Sequence, residues 1–108
     1  MMLEFLPAGG TVCEVGTQHG NFACLILDTC TPEALHLIDI SFELTRDDVQ
    51  SQASVTLHKG NSSDILATLP GNGFDWIYID GDHSYNGVKA DIEVAIAKVK
   101  PGGYLVFN

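Results

Sequence analysis

The sequence predicts an α/β protein built on one open, mainly parallel sheet of about five strands with helices on both faces. Three observations support this three-layer α/β/α architecture. The chain has 108 residues, 45% hydrophobic and 18% charged, which suits one globular domain spanning 1–108. Five short apolar runs are nearly continuous, as in strands covered on both faces. Segments with helical spacing separate these runs, so we expect right-handed crossovers between parallel strands.

The apolar runs and the segments between them give the expected elements in chain order. The expected strands are 11–15, 35–40, 55–57, 74–79 and 104–107. The expected helices are 21–29, a short helix capped by Ser62 or Ser63 and ending at Leu69, and a long helix over 84–100 capped by Ser84. The segment 43–52 is expected to form one or two helical turns.

The end of the long helix carries its own signals. Lys98 and Lys100 lie where the helix dipole favours cations. Pro101-Gly102-Gly103 is expected to stop the helix and turn the chain into the last strand.

Charge and apolar patterning exclude several classes of partner. Five Lys and Arg against 14 Asp and Glu give a net charge of -9, which argues against nucleic acid. The longest apolar run, 23–27, is far too short to cross a membrane, and the N-terminus has no signal-peptide pattern. Cys13, Cys24 and Cys30 form no Cys-x-x-Cys pair, so we expect buried thiols and a cytoplasmic protein.

The segment after the first strand has the pattern of a ligand-binding loop. Gly16 would let the backbone approach a ligand closely, and Gly20 would expose the first amides of the next helix. Glu14 is an acid in an apolar strand, although it could simply cap that helix. Gln18 replaces a glycine of the dinucleotide fingerprint, and Glu14 would oppose a pyrophosphate. A cofactor with a cationic ammonium and sulfonium suits this loop better.

The next two strand ends also carry polar side chains. Asp39 could accept hydrogen bonds from both hydroxyls of a ribose diol, or could be a solvated loop residue. Asn61 and Ser62 could contact an adenine edge, although a helix cap at Ser62 or Ser63 is an equally good interpretation.

The fourth strand leads into two acids and a histidine. His83 could accept a proton from a substrate nucleophile, or could join Asp80 and Asp82 around one cation. The alternative is a turn in which Asp82 caps the long helix and His83 faces water. The other histidines, His19, His36 and His58, are dispersed, and we expect no function from them.

Together these motifs resemble class I S-adenosylmethionine-dependent methyltransferases, whose sheet is Rossmann-like. The similarity rests on Glu14-x-Gly16-x-x-x-Gly20, Asp39, the run from Asp80 to Tyr85, and Pro101-Gly102-Gly103. Within that superfamily the chain looks most similar to methyltransferase family 24. The resemblance covers about 8–108.

The resemblance implies a role for each motif. The implied S-adenosylmethionine-binding residues are Glu14, Gly16, Thr17, Gly20, Asp39, Ile40, Asn61, Ser62 and Asp80. His83 is the implied base, with Asp82 as the other proton acceptor. No metal site is predicted. In related magnesium-binding methyltransferases the acid matching Asp80 binds the ion, and Asp82 is the other possible ligand here.

The resemblance also shows two departures. The middle glycine of the first loop is Gln18, and the sequence ends at the fifth strand although the full fold has seven. We therefore expect a truncated domain whose exposed edge at 104–107 promotes homo-oligomer formation.

The function expected from the sequence is methyl transfer from S-adenosylmethionine to an oxygen or nitrogen of a small molecule, or the cofactor-binding core of such an enzyme. Two alternatives stay open. One is an NAD-dependent oxidoreductase domain, and the other is a non-catalytic nucleoside-binding or oligomerising module.

Overall fold

Five parallel strands form one sheet in the computed structural model, which describes residues 8–80 and 85–107. The strands are β1 Thr11–Val15, β2 Ala34–Asp39, β3 Val55–Lys59, β4 Phe74–Ile79 and β5 Val99–Phe107. The helices are α1 Asn21–Cys30, α2 Asp47–Gln50, α3 Ser62–Thr68 and α4 Tyr85–Ala95, which is followed by a 3₁₀ turn, Ile96–Lys98. The expected α/β class and strand count are confirmed. Within the described ranges, no helix combines the length and apolar character needed to span a bilayer.

The parallel strand order β3-β2-β1-β4-β5 places all five carboxyl strand ends along one edge of the sheet. Chain order reverses beside β1, which has β2 on one side and β4 on the other. Backbone hydrogen bonds join these ends: Gly16 N donates to Ile38 O at 2.8 Å, and Asp80 N donates to Val15 O at 2.8 Å. Ligands of open α/β sheets bind at such a reversal.

Helices cover both faces of the sheet, as expected. On one face α1 and α2 pack on apolar side chains of β1, β2 and β4. The buried residues of this cluster are Val12, Ala23, Ile26, Cys30, Leu35, Leu37, Val49 and Trp76. On the other face α3 and the end of α4 cover a second cluster. Its buried residues are Cys13, Val15, Ile38, Leu66, Phe74, Ile77, Ile79 and Ala95. The two clusters hold the central strands rigid beneath the edge described above.

Strand β3 is less covered than its apolar sequence predicted. It lies at the outer end of the described sheet, and both Thr56 and Leu57 are exposed. The helices that cover the two faces pack over the central strands, so the side chains of a strand at the end of the sheet are covered less on both faces. The prediction that 55–57 is covered on both faces is therefore wrong.

The junction of α4 and β5 also differs from the prediction. The long helix ends at Ala95, and Val99 already pairs with Phe74. The next pair joins Tyr104 to Trp76, so 100–103 bulge out opposite Asp75. Pro101-Gly102-Gly103 thus lies within β5 rather than before it. A bulge accommodates the proline, which has no N–H to donate to a ladder.

The two lysines near this junction act on other elements. Lys98 donates from Nζ to Leu69 O at 2.7 Å, so it binds the end of α3. Lys100 lies in β5 and contacts Asp75 at 3.3 Å. The expected place of Lys98 at the end of the helical segment is confirmed, because it lies in the last turn of the 3₁₀ segment, whereas the expectation for Lys100 is wrong because β5 has already begun there.

Capping of the shorter helices departs from the prediction in one place. Asn61, not Ser62 or Ser63, caps α3, and its Oδ1 accepts a hydrogen bond from Asp64 N at 3.2 Å. The expected short turn within 43–52 is confirmed as α2. Ser84, the expected cap of α4, lies outside the described residues.

Candidate functional site

Two adjoining hollows open at the carboxyl edge of the sheet and share Gly16 and Gln18 as lining residues. The first, which we call the Asp39 hollow, has a volume of about 390 Å³. Its other main lining residues are Val15, Ile38, Asp39, Ile40, Asn61 and Ser62. The second, the Glu14 hollow, has a volume of about 190 Å³. Its other main lining residues are Glu14, Thr17, His19, Asn21, Phe22 and Asp80. The shared residues place both hollows on one continuous surface.

The loop between β1 and α1 takes left-handed backbone conformations where the sequence has glycine. Gly16 and Gly20 both have φ of 89°, which a side chain would strain. A Cβ on Gly20 would also lie 3.1 Å from Thr45 Cγ2. Gln18 has φ of 51° without being glycine. The glycine spacing is therefore explained by the path of this loop along the hollows.

Asp39 is bound into its surroundings by backbone amides. Its Oδ2 accepts from Gln18 N at 2.7 Å, and its Oδ1 accepts from Ile40 N at 2.7 Å and Ser41 N at 3.4 Å. A carboxylate offers about four acceptor positions, so these bonds leave capacity for a ligand donor. The interpretation of Asp39 as a merely solvated loop residue is wrong, because the carboxylate orders two loops.

The Asp39 hollow combines this carboxylate with apolar walls. Val15 and Ile38 are buried beneath it, and Ile40 is 74% exposed at its rim. An exposed isoleucine beside a carboxylate offers a flat apolar contact for a planar ring next to a hydrogen-bond acceptor.

The third strand end uses its polar groups partly for folding. Asn61 Oδ1 accepts from Asp64 N, as the cap of α3, and Ser62 Oγ donates to Asp91 Oδ1 at 2.5 Å. Both residues also line the Asp39 hollow. The sequence left open whether this strand end caps a helix or lines a site. Asn61 does both, whereas Ser62 lines the hollow and binds Asp91 instead of capping α3.

Glu14 is the most unusual group of the site. It is 1% exposed, and its Oε1 has no hydrogen-bond partner among the described residues. Burial raises its pKa from an ordinary 4.5 to about 8; the charges of Asp80 and Asp39 add to this rise, and the Thr17 hydroxyl offsets part of it. Helix α1 has Gly20 at its N-cap and no side-chain cap, so the interpretation of Glu14 as a helix cap is wrong.

The charges around the hollows are acidic. Glu14, Asp39 and Asp80 line them, and no Lys or Arg is among the lining residues that the structure describes. A pyrophosphate needs cationic or amide donors, whereas a ligand ammonium or sulfonium gains from nearby carboxylates. The geometry therefore suits a ligand with a nucleoside at one end and a cation at the other.

The proposed base and one proposed acid fall outside this description. His83 and Asp82 lie in 81–84, which the structure does not describe, whereas Asp80 lines the Glu14 hollow. In the two described stretches of chain, no group of three His, Cys, Asp or Glu side chains could hold a metal ion.

Sequence reasoning missed two features. Thr45 and Arg46, in a segment expected only to form a short turn, hold the glycine loop: Thr45 Oγ1 donates to Gln18 O, and Arg46 N donates to His19 O. His36 and His58, expected to be dispersed, lie 2.9 Å apart between Nδ1 and Nε2. They occupy diagonal positions on β2 and β3, a contact that only the strand register reveals.

Comparison with known proteins gives a family and a fold. A family model described as a methyltransferase domain matches residues 13–108. An uncharacterized protein of Acanthamoeba polyphaga mimivirus is 50% identical over 44 residues, which are 41% of this chain and 20% of the viral protein.

Solved structures agree on the fold. Precorrin 8W decarboxylase from Methanobacterium thermoautotrophicum superposes with a TM-score of 0.79 at 19% identity, covering 99% of this chain and 57% of that one. An S-adenosylmethionine-dependent methyltransferase from Geobacter sulfurreducens, in complex with S-adenosylhomocysteine, gives 0.71 at 18% identity, covering 98% and 44%. The chain thus spans 57% of the length of the decarboxylase and 44% of the length of the methyltransferase.

Proposed function

Because the chain belongs to the methyltransferase domain family, we propose that it binds S-adenosylmethionine for methyl transfer to an oxygen or nitrogen of a small molecule. The observation that carries the proposal is the pair of adjoining hollows, with Asp39 in one and buried Glu14 in the other. The two ends of the cofactor match the two hollows, since it has a nucleoside at one end and a cationic amino acid at the other. We also propose that 1–108 form one cofactor-binding domain and that the complete protein catalyses this methyl transfer.

The Asp39 hollow would hold the adenosine half of the cofactor. Asp39 would accept hydrogen bonds from the ribose hydroxyls through acceptor positions that Gln18 N and Ile40 N leave open. Ile40 would pack against the adenine ring, and Asn61 and Ser62 would lie at the adenine edge. The apolar walls would keep water from the ring, so burial adds to the hydrogen bonds.

The Glu14 hollow would hold the methionine half. Gly16, Thr17 and Gly20 would provide the backbone path around it, and Asp80 would face it from the end of β4. Glu14 would pair with the ammonium. Burial removes water from the ionised carboxylate, and a nearby cation replaces the stabilisation that the water would give. The unsatisfied Oε1 of Glu14 supports this fit.

When bound, the cofactor supplies an electrophilic methyl group on a sulfonium. The protein's contribution would be to orient a substrate oxygen or nitrogen in line with that group and to accept its proton. We propose His83 as the acceptor, with Asp82 as the alternative. We propose no metal; if a divalent cation does take part, Asp80 and Asp82 are its ligands.

Calorimetric titration with S-adenosylhomocysteine and with NAD tests the proposal. We expect saturable binding of S-adenosylhomocysteine and much weaker binding of NAD, because the described lining has no cationic side chain for a pyrophosphate. Stronger binding of NAD would support an oxidoreductase domain instead. Failure of S-adenosylhomocysteine to bind would refute the proposal, whatever the result with NAD.

The chemical step has its own test. We expect labelled S-adenosylmethionine to transfer its methyl group to a member of a panel of phenols, alcohols and amines. A His83→Ala variant should bind S-adenosylhomocysteine as the wild type does and lose transfer. Binding with no transfer to any acceptor would favour a non-catalytic nucleoside-binding module.

We also propose self-association through the outer edge of β5 and a cytoplasmic location. Strand β5 lies at one end of the described sheet, and Tyr104 on it is 47% exposed. Such an edge can pair with a second copy, and sedimentation velocity of a Tyr104→Lys variant tests whether it does.

The free thiols of Cys13, Cys24 and Cys30 support a reducing compartment. The net charge of -9 supports small molecules rather than nucleic acids as partners.

A further inference from the structure

The peptide groups on either side of Gln18 are both held by side chains from neighbouring loops. The Gln18 N–H donates to Asp39 Oδ2 at 2.7 Å, and the Gln18 carbonyl accepts from Thr45 Oγ1 at 2.5 Å. Gln18 has φ of 51°, a left-handed conformation that costs a non-glycine residue free energy unless its surroundings impose it. The two hydrogen bonds are therefore suited to imposing it.

Thr45 is itself firmly anchored. It is 5% exposed, its N–H donates to Phe42 O at 3.1 Å, and Gln50 Nε2 donates to Thr45 O at 2.9 Å. Val49, one residue before Gln50, is buried in the core cluster beneath α1. The position of the Thr45 hydroxyl is thus set by the packed core, not by the exposed loop that it binds.

The Thr45 side chain meets the glycine loop at two points. Its hydroxyl binds Gln18 O, and its Cγ2 methyl lies where a Cβ on Gly20 would be 3.1 Å away. A β-branched side chain is stiff about χ1, so both contacts are made in one rotamer. Thr45 does not line either hollow in the part of the chain that the structure describes. It can act on a ligand there only through the loop.

We propose that Thr45 is a positioning residue for the cofactor loop. By hydrogen bonding the Gln18 carbonyl, it holds Gln18 in the left-handed conformation in which the Gln18 N–H reaches Asp39 and the residue borders both hollows. The inference rests on the proposed binding of S-adenosylmethionine. Thr45, which lies outside both hollows, would then help to set the affinity for the cofactor.

Three single variants separate the hydroxyl from the methyl and from the loop in general. Thr45→Val keeps the methyl beside Gly20 and removes the hydroxyl, whereas Thr45→Ser does the opposite. Arg46→Ala is the matched control, because it removes an exposed ion pair with Asp48 and leaves the bond from Arg46 N to His19 O intact.

Two measurements are made on each variant. Calorimetry with S-adenosylhomocysteine should give a Kd about fivefold higher for Thr45→Val, the typical effect of one hydrogen bond, and values within about twofold of wild type for Thr45→Ser and Arg46→Ala. Amide hydrogen exchange of the ligand-free protein should be faster at Gln18 in Thr45→Val alone. Wild-type affinity and exchange in Thr45→Val would overturn the inference, and so would equal losses in Thr45→Ser.

A second background keeps the inference testable if Thr45→Val folds poorly. Glycine adopts positive φ without strain, so in a Gln18→Gly protein the Thr45 hydroxyl has less to hold. The fold-change in Kd caused by Thr45→Ala should then be smaller than in the Gln18 protein, and an equal fold-change would overturn the inference. If the wild type does not bind S-adenosylhomocysteine, the proposed function fails, whereas the exchange rate at Gln18 still decides the role of Thr45.

Discussion

The backbone N–H of Gln18 donates a 2.7 Å hydrogen bond to Oδ2 of Asp39, which joins the end of β2 to the loop that follows β1. The bond crosses between neighbouring strand ends and orders the wall of the Asp39 hollow. One carboxylate therefore has two roles, since it holds the loop and would also accept hydrogen bonds from a ribose. A substitution at Asp39 should affect both.

We predict that Asp39→Asn weakens the binding of S-adenosylhomocysteine by about tenfold or more, because an amide cannot serve the loop amides and a diol together. Calorimetry measures the change. The wild type should also prefer adenosine to 2′-deoxyadenosine, and the variant should lose that preference. Asp28→Asn, at an exposed aspartate outside both hollows, is the control. Unchanged affinity in Asp39→Asn would contradict the ribose assignment.

Buried Glu14 makes a prediction about the stability of the ligand-free protein. Because its folded pKa of about 8 exceeds its ordinary 4.5, the folded state binds more protons than the unfolded state between these values. The contribution of Glu14 to stability is thus present below about pH 4.5 and is lost as the pH rises towards 8. Urea unfolding of Glu14→Gln should show little difference from wild type at the acid end. It should show a growing stabilisation of the variant towards pH 8, and a constant difference would contradict the assignment.

The same carboxyl predicts proton-linked binding. A ligand ammonium favours the ionised form of Glu14, so binding should release a proton near neutral pH, and the affinity of the wild type should rise with pH up to about 8. Calorimetry of S-adenosylhomocysteine in buffers of different ionisation enthalpy counts the released protons. Glu14→Gln should bind more weakly and release fewer. Equal proton release by both proteins would place the titrating group elsewhere.

The sequence predicted the fold, and which strand ends border the two hollows, because those features depend on local signals. Strands β1 and β4 have the bounds of the apolar runs 11–15 and 74–79, since central strands are buried on both faces. Asp39 could be singled out because parallel strands bring their carboxyl ends to one edge. Asn61 was missed as the cap of α3 because serine follows it twice and either serine could serve.

Features that depend on register or on long-range contacts could not be predicted. Thr45 lies 27 positions from Gln18, and no local pattern marks a hydroxyl that will reach another loop. Pro101-Gly102-Gly103 has the composition of a turn, but its position opposite Asp75 is set by pairing of β5 with β4. The contact between His36 and His58 likewise exists only once β2 and β3 are aligned.

That histidine pair predicts a loss of stability in mild acid. Burial lowers the pKa of His36 and of His58 from an ordinary 6.5, and the charge of His58 lowers that of His36 further. The unfolded state therefore binds more protons below about pH 6.5, so the stability present above that pH is lost as the pH falls. Urea unfolding should show a shallower loss in a His36→Gln/His58→Gln double variant. The control is His19→Gln, at an exposed histidine. Equal slopes in double variant and wild type would contradict the prediction.

Gly103 offers a test of the bulge in β5. A Cβ there would lie 2.5 Å from Asp75 O and 2.9 Å from Lys100 O, both backbone atoms that cannot move without disturbing the pairing of β4 and β5. We expect Gly103→Ala to reduce the free energy of unfolding by about 2 kcal/mol, as overpacking does. Gly71→Ala is the matched control, because its Cβ would make an ordinary 3.6 Å contact with Ala97 O. The urea midpoints of the two variants measure the difference, and equal midpoints would mean that the chain does not press against Asp75 at this point.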